Sequence, residues 1–183
     1  MTLEYPEVRE RYVILLLGIV DRPVPTIWHV EKELFILSRS NPIVQEVFNF
    51  EKHYNGPYSQ VLKEVVEEPI TFENAYIFDE RGYYLTETGK RIFKQIVEEY
   101  KNDERFVQLT NALKMIRNLY DRLSQDELLF LIYVTYPEYT KFSNISDKLL
   151  RDKNKRKQLA SDLLRKGLIT ESRYKELLEL KYE

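Results

Sequence analysis

The side chains with any claim to chemistry are two histidines and a scatter of carboxylates. His29 lies four residues before Glu33, with Glu31 between them, and an i,i+4 spacing can place two metal ligands on one helical face. His53 is the third ligand such a site would draw on. Nothing in the sequence fixes a fourth ligand or an open water position, so histidines at a helix surface or core edge are the expectation. The His-x-Glu at 29–31 lacks the downstream Pro-Cys-x-x-Cys of zinc deaminases. The chain has no cysteine, which excludes thiolate zinc sites, thiol catalysis and disulfides. Acid pairs such as Glu67/Glu68 and Glu98/Glu99 are sequence neighbours that diverge on a helix. No Gly-x-Ser-x-Gly, Walker or dinucleotide pattern occurs, and five glycines cannot supply a phosphate-cradling loop of the usual kind. The expectation is a protein with no catalytic residues, no metal and no cofactor.

Charge offers more. Lys148–Lys175 holds ten basic and three acidic side chains, a local excess of seven positive charges, so the remainder carries −9 in a chain of net charge −2. A basic face of this kind is either a solvated helix end or a surface for nucleic acid or an acidic partner.

The elements that would position such groups can be read from spacing and punctuation. Pro6–Val20 reads as a helix whose body, Tyr12–Leu17, is apolar all round and so must touch neighbours on several sides. Thr26 is placed to cap a helix with Ile27, Val30, Leu34 and Leu37 on one side, and Asn41-Pro42 starts a short one. Asn55-Gly56-Pro57 reads as a turn with Pro57 at the first position of a helix carrying Val61, Leu62, Val65 and Val66. Pro69 ends it. Ile70–Phe72 and Ala75–Phe78 favour extended chain, Asp79-Glu80-Arg81-Gly82 is a loop, and Tyr83-Tyr84-Leu85 is the return strand. Thr86 then caps the helix of Ile92, Phe93, Ile96, Val97 and Tyr100.

A helix followed by a β-hairpin and another helix is the order of a winged helix-turn-helix. The Leu-Thr-Glu-x-Gly step at 85–89 resembles the end of the wing in many winged-helix regulators. Phe48–Ser59, with Tyr-Asn-Gly-Pro-Tyr-Ser leading toward a helix and Lys32-Glu33-Leu34-Phe35-Ile36-Leu37 in the preceding helix, resembles the Panacea-domain antitoxins and related winged-helix proteins. That resemblance spans roughly residues 10–100 and implies a protein-binding or DNA-linked regulator without catalytic residues. Glu67-Glu68-Pro69-Ile70 stands where those families have a glycine-leucine-isoleucine step, and a C-terminal extension follows.

In the extension, Phe106, Leu109, Leu113, Ile116, Tyr120 and Leu123 keep a 3,4,3,4,3 spacing that serves either core packing or a homodimer seam. Ser124-x-x-Glu127 is a capping box ahead of Leu128–Val134. The expected fold is mainly α with a small β-hairpin: a winged helix-turn-helix over 1–101 and a helical region over 102–183. Its expected function is winged-helix regulation through nucleic acid. Tyr58, Ser59, Gln60 and Lys63 would reach the major groove, and Arg151, Lys153, Lys155, Arg156 and Lys157 the phosphates. The alternative is an antitoxin-like protein-interaction module that never meets DNA. Glu64, Glu67 and Glu68 crowd the lone Lys63 of the would-be recognition helix, which does not favour DNA readout, and protein contact through the same surface is equally consistent. Tyr54, Tyr58, Tyr83 and Tyr84 read as a core edge rather than a stacking platform. No apolar run nears the ~20 residues of a membrane span, and no signal-peptide pattern opens the chain, so a cytoplasmic protein is expected. Abundant Lys, Glu and Tyr without cysteine suits a thermophile.

Overall fold

A helix built on Tyr12–Leu17 has no face to give to water. The computed structural model, which describes residues 5–180, places this run in α1 (Tyr5–Gly18) and buries all six of its side chains. Burial is achieved by surrounding α1 with α2 (Ile27–Ser38), α3 (Pro42–Phe48), α4 (Gln60–Glu67), α5 (Glu87–Tyr100) and α6 (Glu104–Tyr120). Each fully buried aliphatic side chain contributes about 1.5–3 kcal/mol, so α1 is the main apolar support of its unit. Among the described residues the chain is mainly helical, with two small antiparallel sheets of two strands each.

The chain divides into two compact units. The first runs up to Phe50 and includes Ser59–Arg122; the second combines Glu51–Tyr58 with the chain from Leu123 onward. This differs from the boundary expected near residue 101. The reason is α6, whose Leu113 and Ile116 are buried against the helices of the first unit. Phe106 and Leu109 line a small apolar cleft there with Tyr12, Leu15 and Ile96. The part of the heptad-like stripe that α6 carries therefore packs mainly within the unit, with Leu113 and Ile116 buried and Phe106, Leu109 and Tyr120 half-buried.

In the first unit, β3 (Tyr76–Asp79) and β4 (Gly82–Leu85) form the hairpin expected from Ala75–Leu85, in the register Ile77↔Tyr84 and Phe78↔Tyr83. Val24, in the α1–α2 connector, forms a bridge to Tyr83 on the far side of β4, with N–H···O distances of 2.8 Å in both directions. Ile70–Phe72 is not a strand; its amides are taken by a carboxylate, as described below.

The second unit holds β1 (Glu51–His53), β2 (Gly56–Tyr58), α7 (Gln125–Thr135), α8 (Ser146–Leu150), α9 (Lys153–Arg165) and α10 (Glu171–Glu179). Here the structure corrects the reading of Gly56-Pro57. Pro57 lies in a strand opposite Lys52, and α4 begins three residues later, capped by Ser59. Glu51-Lys52-His53 is too short and too polar to signal a strand, so the proline read as a helix start. Gly56, at φ 84, turns the hairpin where a Cβ would lie 3.0 Å from the Leu129 side chain of α7. The capping box of α7 is complete, with Ser124 and Glu127 exchanging bonds.

Candidate interaction surface

The surface that could engage a partner in the first unit is built by α4 and the β3–β4 hairpin, and three local devices hold it. Ser59 caps α4 by accepting from the Leu62 N–H at 3.0 Å, and its hydroxyl donates to the Phe48 carbonyl. Thr86 caps α5 by accepting from the Gly89 N–H at 3.1 Å while donating to Asn74 O at 2.6 Å. Glu10 of α1, buried to 1 % exposure, accepts the N–H groups of Ile70, Thr71 and Phe72 at 2.8, 2.8 and 2.6 Å. One carboxylate thus ties the α4–β3 loop to the central helix. Charge-assisted bonds of this type contribute about 1.5–3 kcal/mol each. Glu10→Ala is expected to cost about 2–4 kcal/mol, because the loop can rehydrate part of what it loses. Its signature is amide exchange accelerated at residues 70–72 more than in α1, read by hydrogen–deuterium exchange.

The charge on this surface is one-sided. From Glu64 to Glu80 the chain carries six acidic residues and no basic one. Of the residues expected to read a groove, Gln60 is exposed but hydrogen-bonds Glu64 at 2.9 Å, and Lys63 is exposed 3.9 Å from Glu67. Ser59 is buried by its capping role. Tyr58 is not on α4: it is half-buried on β2 in the second unit, with His53 stacked on it at 4.6 Å. Apolar side chains accompany the acids, for Ile70 is 76 %, Ile77 44 % and Phe78 61 % exposed. Phe78 leans on Tyr83 across the hairpin at 4.5 Å. At the turn Asp79 receives Arg81 at 2.7 Å and the Tyr84 hydroxyl at 2.6 Å, and these bonds hold its carboxyl well below the usual carboxylate range.

On the opposite side of β4 lies a groove of about 580 Å³ lined by Gly18, Arg22, Tyr84, Lys90, Phe93 and Lys94 among others. Its cations are largely matched: Arg22 by Asp121 at 2.7 Å and Lys90 by Glu87 at 2.7 Å.

In the second unit the basic excess is mostly consumed internally. Arg151 pairs with Asp147 at 3.1 Å and Lys155 with Asp126 at 2.7 Å. Lys166 meets Glu127 at 2.7 Å and Arg165 meets Asp162 at 2.7 Å. Arg156 is buried, donating to the Leu150 carbonyl. Of the five residues assigned to phosphates, only Lys153 and Lys157 stand exposed without an ion pair to a described residue.

The His29, Lys32 and Glu33 side chains of α2 are buried. His29 is buried with its Nδ1 2.9 Å from the Thr26 hydroxyl, so Thr26 does not cap the helix with its side chain. Lys32 is buried beside Glu31 and over the Trp28 ring; burial lowers its pKa while Glu31 opposes the shift. Glu33 is fully buried near Arg117 of α6 and Asp121, the residue that follows α6. Among the described residues no group of three or more His, Cys, Asp or Glu side chains is placed to hold a metal ion. No helix among them is long and apolar enough to cross a membrane.

Comparison with protein-family models, with curated proteins and with solved structures gives no match.

Proposed function

We propose that the first unit is a winged-helix-type regulatory module that grips a protein partner through α4 and the β3–β4 hairpin, and that it does not read duplex DNA. The winged-helix assignment draws its support from element order: α1, the Val24 bridge, α2, α3, α4, the hairpin, then α5. The observation that carries the choice of partner is the acidic run from Glu64 to Glu80 on the elements that would face a duplex. Two unit charges at ~4 Å in water interact by about 1 kcal/mol. Several such repulsions oppose the roughly 6–8 kcal/mol of ordinary non-specific DNA binding, and Lys63 alone cannot offset them.

The test compares wild type, Lys63→Glu and the triple variant Glu64→Lys/Glu67→Lys/Glu68→Lys, each titrated with mixed-sequence duplex DNA at low salt. Wild type and Lys63→Glu should show the same residual affinity, while the triple variant gains binding that collapses as salt rises. Wild-type binding that Lys63→Glu abolishes would overturn the reading. The same triple variant, immobilised beside wild type in an extract of the source cells, should fail to retain a protein that wild type retains.

A further inference from the structure

Among the described residues the hairpin presents one open edge, and its chemistry is specific. Tyr83 spends both its N–H and its carbonyl on Val24, at 2.8 Å each, on the side of β4 away from β3. In an antiparallel ladder, directly opposed residues alternate between pairs that exchange both bonds and pairs that exchange none. Phe78, opposite Tyr83, therefore belongs to a pair without mutual hydrogen bonds, and its N–H and carbonyl point outward from β3. β4 is the main packing neighbour of β3. The outward groups are flanked by the exposed side chains of Ile77 and Phe78, on alternate faces of the strand.

An exposed apolar edge is a template for another strand. We propose that the outer edge of β3 docks an extended segment of a partner protein in which basic and apolar residues alternate, added as a further strand of the hairpin. This rests on the protein-partner reading above and names the chemistry of the partner. Charge decides the occupant. Exposed Glu67, Glu68, Glu73 and Glu80 lie on the helix, loop and turn that flank the strand, and no base occurs between Glu64 and Glu80. A second copy of this chain would bring the same acids together across a two-fold axis. A basic segment would meet them with opposite charge, while its apolar residues, all on one face of the added strand, cover Phe78, the more exposed of the two.

The probe is a fluorescent peptide of alternating lysine and valine, titrated by anisotropy into the full chain at low salt. Three comparisons accompany it: the same peptide N-methylated at alternate amides, a glutamate–valine peptide, and the Phe78→Pro protein. Proline at 78 removes the outward donor together with the exposed ring, and it takes no donor from the β3–β4 ladder. The lysine–valine peptide should bind, with the N-methylated peptide and the Phe78→Pro protein each at least about tenfold weaker, the loss expected for one or two backbone hydrogen bonds. The glutamate–valine peptide should not bind. N-methylation needs no change to the protein, so it stays informative if Phe78→Pro misfolds.

Equal affinity for the methylated peptide would overturn strand addition while leaving an acidic protein-binding surface. Absence of lysine–valine binding at millimolar peptide would overturn it as well. Self-association in sedimentation that Phe78→Lys abolishes would assign the edge to a second copy and overturn the choice of partner. Duplex DNA bound through Lys63 is the separate result that defeats the parent reading.

Discussion

Replacing Arg117 with alanine should lower the unfolding free energy of the first unit by about 3–5 kcal/mol, the cost of removing one member of a buried ionic group. Arg117 is fully buried on α6 and distributes its guanidinium over three partners. Its Nε donates to both Asp121 oxygens at 2.9 and 3.0 Å, Nη1 to Leu16 O at 2.6 Å, and Nη2 to Arg22 O at 2.7 Å. Arg22 returns a bond to the Arg117 carbonyl at 2.9 Å. Truncation leaves two backbone carbonyls short of a donor and Asp121 with Arg22 as its remaining cation. Arg117→Lys should recover little, because an ammonium cannot span a forked arrangement of this width. The connector pinned through Arg22 also delivers Val24 to Tyr83, so the loss should reach the hairpin. Denaturant midpoints measure the first effect, and accelerated exchange of the Val24 and Tyr83 amides the second. A cost under about 1 kcal/mol, the range of surface ion pairs, would show that the cluster is hydrated.

Glu33 supplies the pH dependence of the same cluster. Burial raises its pKa well above the ordinary glutamate range, and the Asp121 carboxylate adds to the rise against the pull of Arg117, 3.8 Å away. While ionised, neither Glu33 oxygen has a hydrogen-bond partner; protonated, the carboxyl can donate to Asp121. The folded state therefore binds a proton that the unfolded state has released, and stability falls as pH rises from the ordinary glutamate range toward the folded-state value. Glu33→Gln should flatten that slope and cost little near neutral pH, since an amide N–H can replace the carboxyl proton.

How far the fold could be read in advance depended on whether the signal was local. Ser124-x-x-Glu127, Thr86 and the apolar run Tyr12–Leu17 each act within a turn or two of themselves, and each behaves as its residue types demand. The β1–β2 hairpin failed because its strands hold three residues each and its proline suits a helix start equally well. The heptad-like spacing of α6 was real, but spacing says which face is apolar and not what covers it. Arg117 follows Ile116 and looks like any helix-surface base; its burial depends on Glu33 and Leu16, far away in sequence. Glu10 is equally silent, one acid among several at the polar start of α1 until the loop at 70–72 closes on it. The candidate surface was half legible: the acids of α4 were plain, whereas the open edge of β3 required knowing that Val24 occupies the other side of β4.

Gly89→Ala should reverse the usual rule that alanine improves a helix by about 1 kcal/mol over glycine, and instead destabilise the first unit by about 3 kcal/mol or more. Gly89 is buried in the first turn of α5, and a Cβ there would lie 1.8 Å from the Ala75 carbonyl oxygen and 2.8 Å from its carbon. That carbonyl cannot withdraw freely, because it accepts from the Thr86 N–H at 3.0 Å. Relief of the clash must therefore break the cap of α5 or move the start of β3. This gives the glycine of the Leu-Thr-Glu-x-Gly step a physical reason: the backbone entering the hairpin crosses the helix that leaves it with no room for a side chain. Gly167→Ala is the control, since Gly167 has φ +70 and nothing within 4 Å of a Cβ. It should cost only the conformational penalty, about 1 kcal/mol. Equal losses at the two positions would mean that the approach of Ala75 to α5 yields easily. A loss at Gly89 several times larger, with protection in the β3–β4 hairpin falling faster than in α1, is the expected result.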